Sequence, residues 1–130
     1  LFGSFVLNKM MKKTLVLGAS SNPERYAYKA TVKLANHGHE VVPVGLKTGT
    51  IEGHEILVNN PIIKDIDTVT LYVGPQNQPI YYDYILTQIH PKRIVFNPGT
   101  ENPELEKLAK EKGIETEIAC TLVLLSLGEY

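Results

Sequence analysis

The stretch VLGASSNPERYAYKA, Val16 to Ala30, decides how this chain is read. It runs from apolar strand formers through one glycine into a polar turn, and then into a helical pattern. Strand, tight turn and helix in that order open the nucleotide-binding units of α/β proteins. The dinucleotide fingerprint calls for three glycines at this turn, and here only Gly18 is in place. What the loop binds is therefore the first question the sequence raises.

Working outward, "TLVLG" (Thr14 to Gly18) is a short, nearly continuous apolar run, as expected of a strand covered on both faces. From about Glu24 to His37 the residues Ala27, Ala30, Thr31, Leu34 and Ala35 share one helical face, and Gly38 suits the left-handed position after the helix. "EVVPV" (Glu40 to Val44) reads as a second strand, with Pro43 near its end where a missing amide costs least. A long loop spans Gly45 to Asp67, and "TVTLYV" (Thr68 to Val73) is the third strand. Asn77 and Gln78 then stand as caps for a helix from Pro79 to about Ile89.

"RIVF" (Arg93 to Phe96) is the fourth strand. The next helix is the best punctuated: Asn102 as N-cap, Pro103 at the first helical position, Glu104 and Glu106 early, Lys107, Lys110 and Lys112 late, then Gly113. Leu105, Leu108 and Ala109 form its buried stripe. "IETEIA" (Ile114 to Ala119) is the fifth strand, and Cys120 to Gly128 a last short helix. The expected fold is α/β: a three-layer Rossmann-like fold with a five-stranded, mostly parallel sheet in the order 3-2-1-4-5.

The totals agree with one domain. A chain of 130 residues buries about two thirds of its unfolded surface around a single core. Thirteen basic against fourteen acidic residues argue against nucleic acid or an acidic membrane surface as partner. The single Cys120 excludes an internal disulfide and fits a reducing cytoplasm. His37, His39, His54 and His90 share no zinc-ligand spacing with it. Residues 1–10 read as a leader, an overextended start or an expression-derived remnant without fixed order, so the domain is expected over 11–130.

In open sheets of this kind ligands bind beyond the carboxyl ends of the strands, here expected near the boundary of the first and fourth strands. After the first strand come Gly18, Ala19, Ser20, Ser21 and Asn22, followed by Arg25 and Lys29 one helical turn apart. Free amides at a helix start, short hydroxyls and two cations make a phosphate cradle. The same residues also suit an ordinary capped loop with solvated charges. After the second strand, "PVGLK" (Pro43, Val44, Gly45, Leu46, Lys47) offers a cation where an NAD site places a carboxylate. That suits a phosphorylated ribose, as in coenzyme A or NADP, although a mobile surface lysine fits equally.

"VGPQNQP" after the third strand, with Val73, Gly74 and Pro75, and "NPGTENP" after the fourth, with Asn97, Pro98 and Gly99, are turns that line a pocket or simply cap helices. Cys120 falls at the start of the last helix, where a thiol is activated or serves as a small packed residue. The sequence has no GxSxG elbow, Walker lysine motif or paired carboxylates at strand ends, so no catalytic residue and no metal ligand is assigned. Tyr81, Tyr82 and Tyr84 on one helix suit packing or a subunit interface, and His37 and His39 suit a helix end or a metal pair.

With these residues in hand, the sequence resembles the small stand-alone CoA-binding proteins, bacterial single-domain relatives of the N-terminal domain of the succinyl-CoA synthetase α subunit. The resemblance covers about Lys12 to Tyr130. Its carriers are VLGASSNPERYAYKA, GHEVVPVGLK, IDTVTLYVGPQNQ, IVFNPGTENPEL and GIETEIACTLVLL. It implies CoA at the strand ends, phosphates near the first loop and the adenosine end toward the loop after the second strand. Gly18, Ala19, Ser20 and Arg25 match the first-loop motif, Pro43, Val44 and Lys47 the second, Val73, Gly74 and Pro75 the third. Asn97, Pro98 and Gly99 resemble the family's fourth turn, and Cys120 a cysteine often found there. The expectation is a cytoplasmic CoA or acyl-CoA binding protein without catalytic machinery, a carrier, sensor or regulatory partner, working alone, as a homodimer or with a larger enzyme. The alternatives are an NADP-dependent oxidoreductase and a ligand-free interaction protein on the same scaffold.

Overall fold

Thr14–Leu17 forms strand β1, and all four of its residues are buried. Leu15 and Leu17 enter one core cluster while Val16 enters another, the period-two alternation of a strand covered on both faces. The computed structural model describes residues 11–130, so the expected leader lies outside the described residues. After β1 come α1 (Tyr26–Asn36), β2 (Val41–Val44), the short strands β3 (Gly49–Ile51) and β4 (His54–Ile56), and β5 (Thr68–Leu71). An irregular helical segment, Pro75–Ile89, leads to β6 (Arg93–Phe96), α2 (Pro103–Glu111), β7 (Glu115–Ile118) and α3 (Thr121–Leu127).

The five main strands form one parallel sheet in the order β2-β1-β5-β6-β7. The α/β class and the five-stranded sheet are as expected, but the order 3-2-1-4-5 is corrected to 2-1-3-4-5 in the same count. Two features of β2 explain the change. Pro43 turns its carbonyl outward, away from β1, and has no amide to offer a further strand there. The outer edge is already taken by the loop: the Leu57 amide donates to the Pro43 carbonyl at 2.9 Å and the Gly45 amide to the Leu57 carbonyl at 2.9 Å. β5, buried at all four positions, instead lies at the centre of the sheet, paired with β1 and β6.

The direction of winding therefore reverses between β1 and β5, and the helical elements change face with it. The α1 and α3 helices and the β3–β4 hairpin pack around Val16, Ala27, Leu34, Ile51, Ile56 and Leu125. The Pro75–Ile89 segment and α2 pack around Leu15, Leu71, Tyr84, Ile85, Phe96 and Leu105 on the other face. The helix expected over Pro79–Ile89 is helical but not α: Pro75 and Pro79 each begin a three-residue 3₁₀ turn, and Tyr84–Ile89 is π-helical, closed by the His90 amide on the Ile85 carbonyl at 2.9 Å. Pro79 has no amide to donate to the Pro75 carbonyl, so a single α-helix cannot run through both turns. The β3–β4 hairpin lies within the stretch Gly45–Asp67 that is expected as loop, and corrects that expectation.

Tyr130 closes the amino edge of the sheet. Its hydroxyl meets the Thr14 hydroxyl at 2.8 Å, its main-chain oxygen accepts from Lys12 Nζ (2.5 Å) and Arg93 Nη1 (3.1 Å), and its ring lies 4.5 Å from the Arg93 guanidinium. Among the described residues, no helix is long and apolar enough to cross a membrane.

Candidate functional site

With the order corrected, the topological switch point lies between β1 and β5, and the loop that opens the crevice is still Gly18–Arg25. Gly18 holds φ at +96°, and a Cβ there would lie 2.8 Å from the Tyr72 carbonyl oxygen. At Gly45 a Cβ would lie 2.4 Å from the Ala19 carbonyl oxygen. These two glycines therefore let three strand ends approach one another. The amides of Gly18 and Ala19 both donate to the Val44 carbonyl at 3.0 Å, which ties the first loop to β2.

Beyond Ala19 the loop turns outward. Ser20 Oγ accepts from the Asn22 amide (3.1 Å), leaving its own proton free to donate, and Asn22 Oδ1 accepts from the Glu24 amide (3.0 Å). The Asn22 carbonyl takes the Arg25 amide at 3.0 Å, so the chain turns over Pro23 and Glu24 and α1 begins at Tyr26, two residues later than expected. Arg25 is the N-cap residue and cannot accept, no side chain caps α1, and its first turn holds no acid. By contrast Asn102 Oδ1 caps α2 by accepting from the amides of Glu104 (3.1 Å) and Leu105 (3.2 Å), and that first turn carries two glutamates. The α1 start is thus left with unfilled donors and a positive end of its dipole. Ser21, Asn22, Arg25 and Lys29 are exposed around it, with Lys29 Nζ 5.3 Å from the Tyr26 ring centre.

The other expected residues all fall at the same edge, with different duties. Pro43 and Val44 are buried inside β2 and contribute backbone, while Lys47 is exposed just beyond it. Val73, Gly74 and Pro75 follow β5, half-buried, at the start of the irregular segment. Asn97 is 1 % exposed, and its side chain is spent inside the protein. Its Nδ2 donates to Thr70 Oγ1 (2.7 Å) and the Leu71 carbonyl (3.0 Å), and its Oδ1 accepts from the Thr121 amide (2.9 Å). Asn97 thereby ties β5 and β6 to the start of α3. Pro98 and Gly99 are exposed, and the Gly99 amide is taken by the Glu101 carboxylate at 2.8 Å.

Cys120 is half-buried at the N-cap of α3. Beside it the Tyr72 hydroxyl is buried with no hydrogen-bond partner among the described residues, and burial pushes this phenol above its ordinary range. Tyr81 and Tyr84 pack in the core, and burial raises the Tyr84 phenol to about 12 while its hydroxyl donates to the Pro61 carbonyl. His39 Nδ1 accepts from the Lys12 amide (2.9 Å) at the opposite edge, and among the described residues no group of side chains is arranged for a metal. Sequence reasoning missed Thr70 and Thr121, inward-facing polar residues of types unremarkable in strands and turns, and the caps expected at Asn77 and Gln78 are not formed: no side chain caps either short helical turn, and Gln78 is turned inward. A shallow depression of about 540 Å³ lies on the outer side of α2, among Pro103, Glu106, Lys107, Lys110 and Glu111, away from this edge.

These observations define a doubly wound, parallel α/β protein whose carboxyl edge gathers uncapped amides, hydroxyls and cations. The comparisons make the class specific. The model of the CoA-binding domain family matches residues 12–126, and the chain belongs to that family. A crystal structure of a protein described only as uncharacterized is 55% identical, with a TM-score of 0.90 over 92% of this chain and 98% of that one. A hypothetical protein from Pyrococcus horikoshii OT3 is 29% identical, with a TM-score of 0.77 over 92% of this chain and 84% of that one. A Thermus thermophilus protein, cell-free ID.343, is 22% identical with a TM-score of 0.81 over 99% and 98%, and it speaks for the fold alone. None of the curated proteins compared matches the chain.

Proposed function

We propose that this protein binds coenzyme A or an acyl-CoA at the carboxyl edge of the sheet, and that it acts in the cytoplasm as a non-catalytic carrier, sensor or regulatory partner. The observation that carries the reading is the start of α1, an eleven-residue helix at the switch point that has no side-chain cap and no acid within its first turn. A diphosphate fits that donor set: backbone amides, the Ser20 hydroxyl, and the Arg25 and Lys29 cations. Lys47 beyond β2 suits the phosphate on the adenosine ribose, and membership of the CoA-binding domain family supports the choice of ligand. The coenzyme would bring a thiol or thioester; the chain's part is to hold its charged end and let the thiol-bearing arm run over the loops after β5 and β6. His37 and His39 precede β2 and His90 precedes β6, at the amino edge, so none of these three stands as a base beside Cys120.

Thermal unfolding with each ligand in turn tests the reading. At a hundredfold excess over its Kd, a ligand of the folded state adds about 2.7 kcal/mol of stability. CoA is expected to raise the midpoint, with NADPH and NADH giving less. A larger rise with NADPH supports an NADP-dependent oxidoreductase instead, and no rise with any of them leaves an interaction protein on this scaffold.

A further inference from the structure

Gln78 is fully buried, at 0 % exposure, in a loop where every neighbouring polar residue faces water. Its Nε2 donates to the Val73 carbonyl at 2.9 Å and to the Thr100 carbonyl at 2.8 Å. Its Oε1 accepts from Asn102 Nδ2 at 2.8 Å. Asn102 in turn donates to the Tyr82 hydroxyl at 2.9 Å and caps α2 through Oδ1. One carboxamide therefore joins three pieces of chain: the turn after β5, the turn after β6, and the start of α2.

We infer that Gln78 is a positioning residue for the ligand arm: it fixes the spacing of the Val73–Pro75 and Asn97–Thr100 turns, between which the thiol-bearing half of the coenzyme lies. The inference rests on the CoA reading above. With the diphosphate at the α1 start and the adenosine end toward Lys47, the rest of the ligand has only the β5 and β6 side of the edge to cross. Gln78 does not touch it, since no part of the side chain reaches the surface. It acts through two carbonyls, which are left unpaired when its donors are removed; the turns then shift to find water. The α1 start and Lys47 stand on the other side of the switch point and share no hydrogen bond with Gln78.

The test compares two ligands on folded protein, below its unfolding midpoint. Gln78→Met keeps the volume and removes both donors. It is expected to weaken CoA binding about tenfold, the loss of one buried hydrogen-bonded arrangement, while adenosine 3′,5′-bisphosphate, which lacks the arm, binds as before. Asn102→Ser serves where the first variant does not fold: it keeps a capping hydroxyl for α2 but frees Gln78 Oε1, and a smaller loss confined to CoA is expected. Equal losses for both ligands, or none for either, overturn the positioning role and leave Gln78 a packing residue. If the unaltered protein binds neither ligand, the CoA reading itself falls, and this inference with it.

Discussion

At the scale of single residues, the carboxyl edge divides into groups that hold the protein together and exposed groups that the proposed CoA reading assigns to the ligand. Gly18 and Asn97 belong to the first kind. Gly18→Ala places a Cβ against the Tyr72 carbonyl at a φ of +96°, and a loss of about 1–3 kcal/mol in urea unfolding is expected. Asn97→Ala strips partners from Thr70, Leu71 and Thr121 at once, with an expected loss of about 3 kcal/mol. Arg25→Ala and Lys47→Ala touch only exposed side chains, so unfolding stability should stay within about 0.5 kcal/mol while ligand stabilisation falls. The sequence revealed where these residues stand along the chain but not which way they face. Asn97 and Asn22 are the same residue type in similar turns; one is buried and spent, the other exposed, and only the packing of α3 against β5 separates them.

The elements were legible wherever local chemistry alone sets them. Asn102, Pro103 and the paired glutamates mark α2, and the helix begins there with the expected cap. The β3–β4 hairpin was hidden because its turn is Glu52–Gly53, with φ of +45° and +86°, where such two-residue turns usually carry Asn or Asp before the glycine. Glu52→Asn is accordingly expected to stabilise the protein by about 0.5–1 kcal/mol, seen as a raised unfolding midpoint. Strand order was misread for a different reason. The missing amide of Pro43 is legible in the sequence, but its outward direction, which closes that side of β2, depends on the register with β1, and register is a tertiary property. The irregular Pro75–Ile89 segment likewise keeps its apolar periodicity while its prolines break the hydrogen bonding that periodicity implies.

At the scale of the whole molecule, the two edges of the sheet do opposite work. The amino edge is sealed by Tyr130 against Arg93, Lys12 and His39, whose ring meets it edge-on at 5.0 Å. Burial, then the positive charges of Lys12, His37 and Arg93, hold His39 below its ordinary value of 6.5, with Asp67 opposing. A lowered folded-state value means the neutral ring is favoured in the folded protein. Its contribution is present above about pH 6.5 and is lost as pH falls through the folded value, so stability should decline across that range and decline less in His39→Gln. The carboxyl edge, in contrast, leaves the α1 start uncapped and cationic, where the proposed coenzyme would place its diphosphate. The most direct measurement is a calorimetric titration with CoA beside dephospho-CoA, on the unaltered protein and on Lys47→Ala. Saturable binding of CoA, weaker binding of dephospho-CoA and a gap that closes in Lys47→Ala are the predicted result; the absence of saturable CoA binding to the folded, unaltered protein would contradict it.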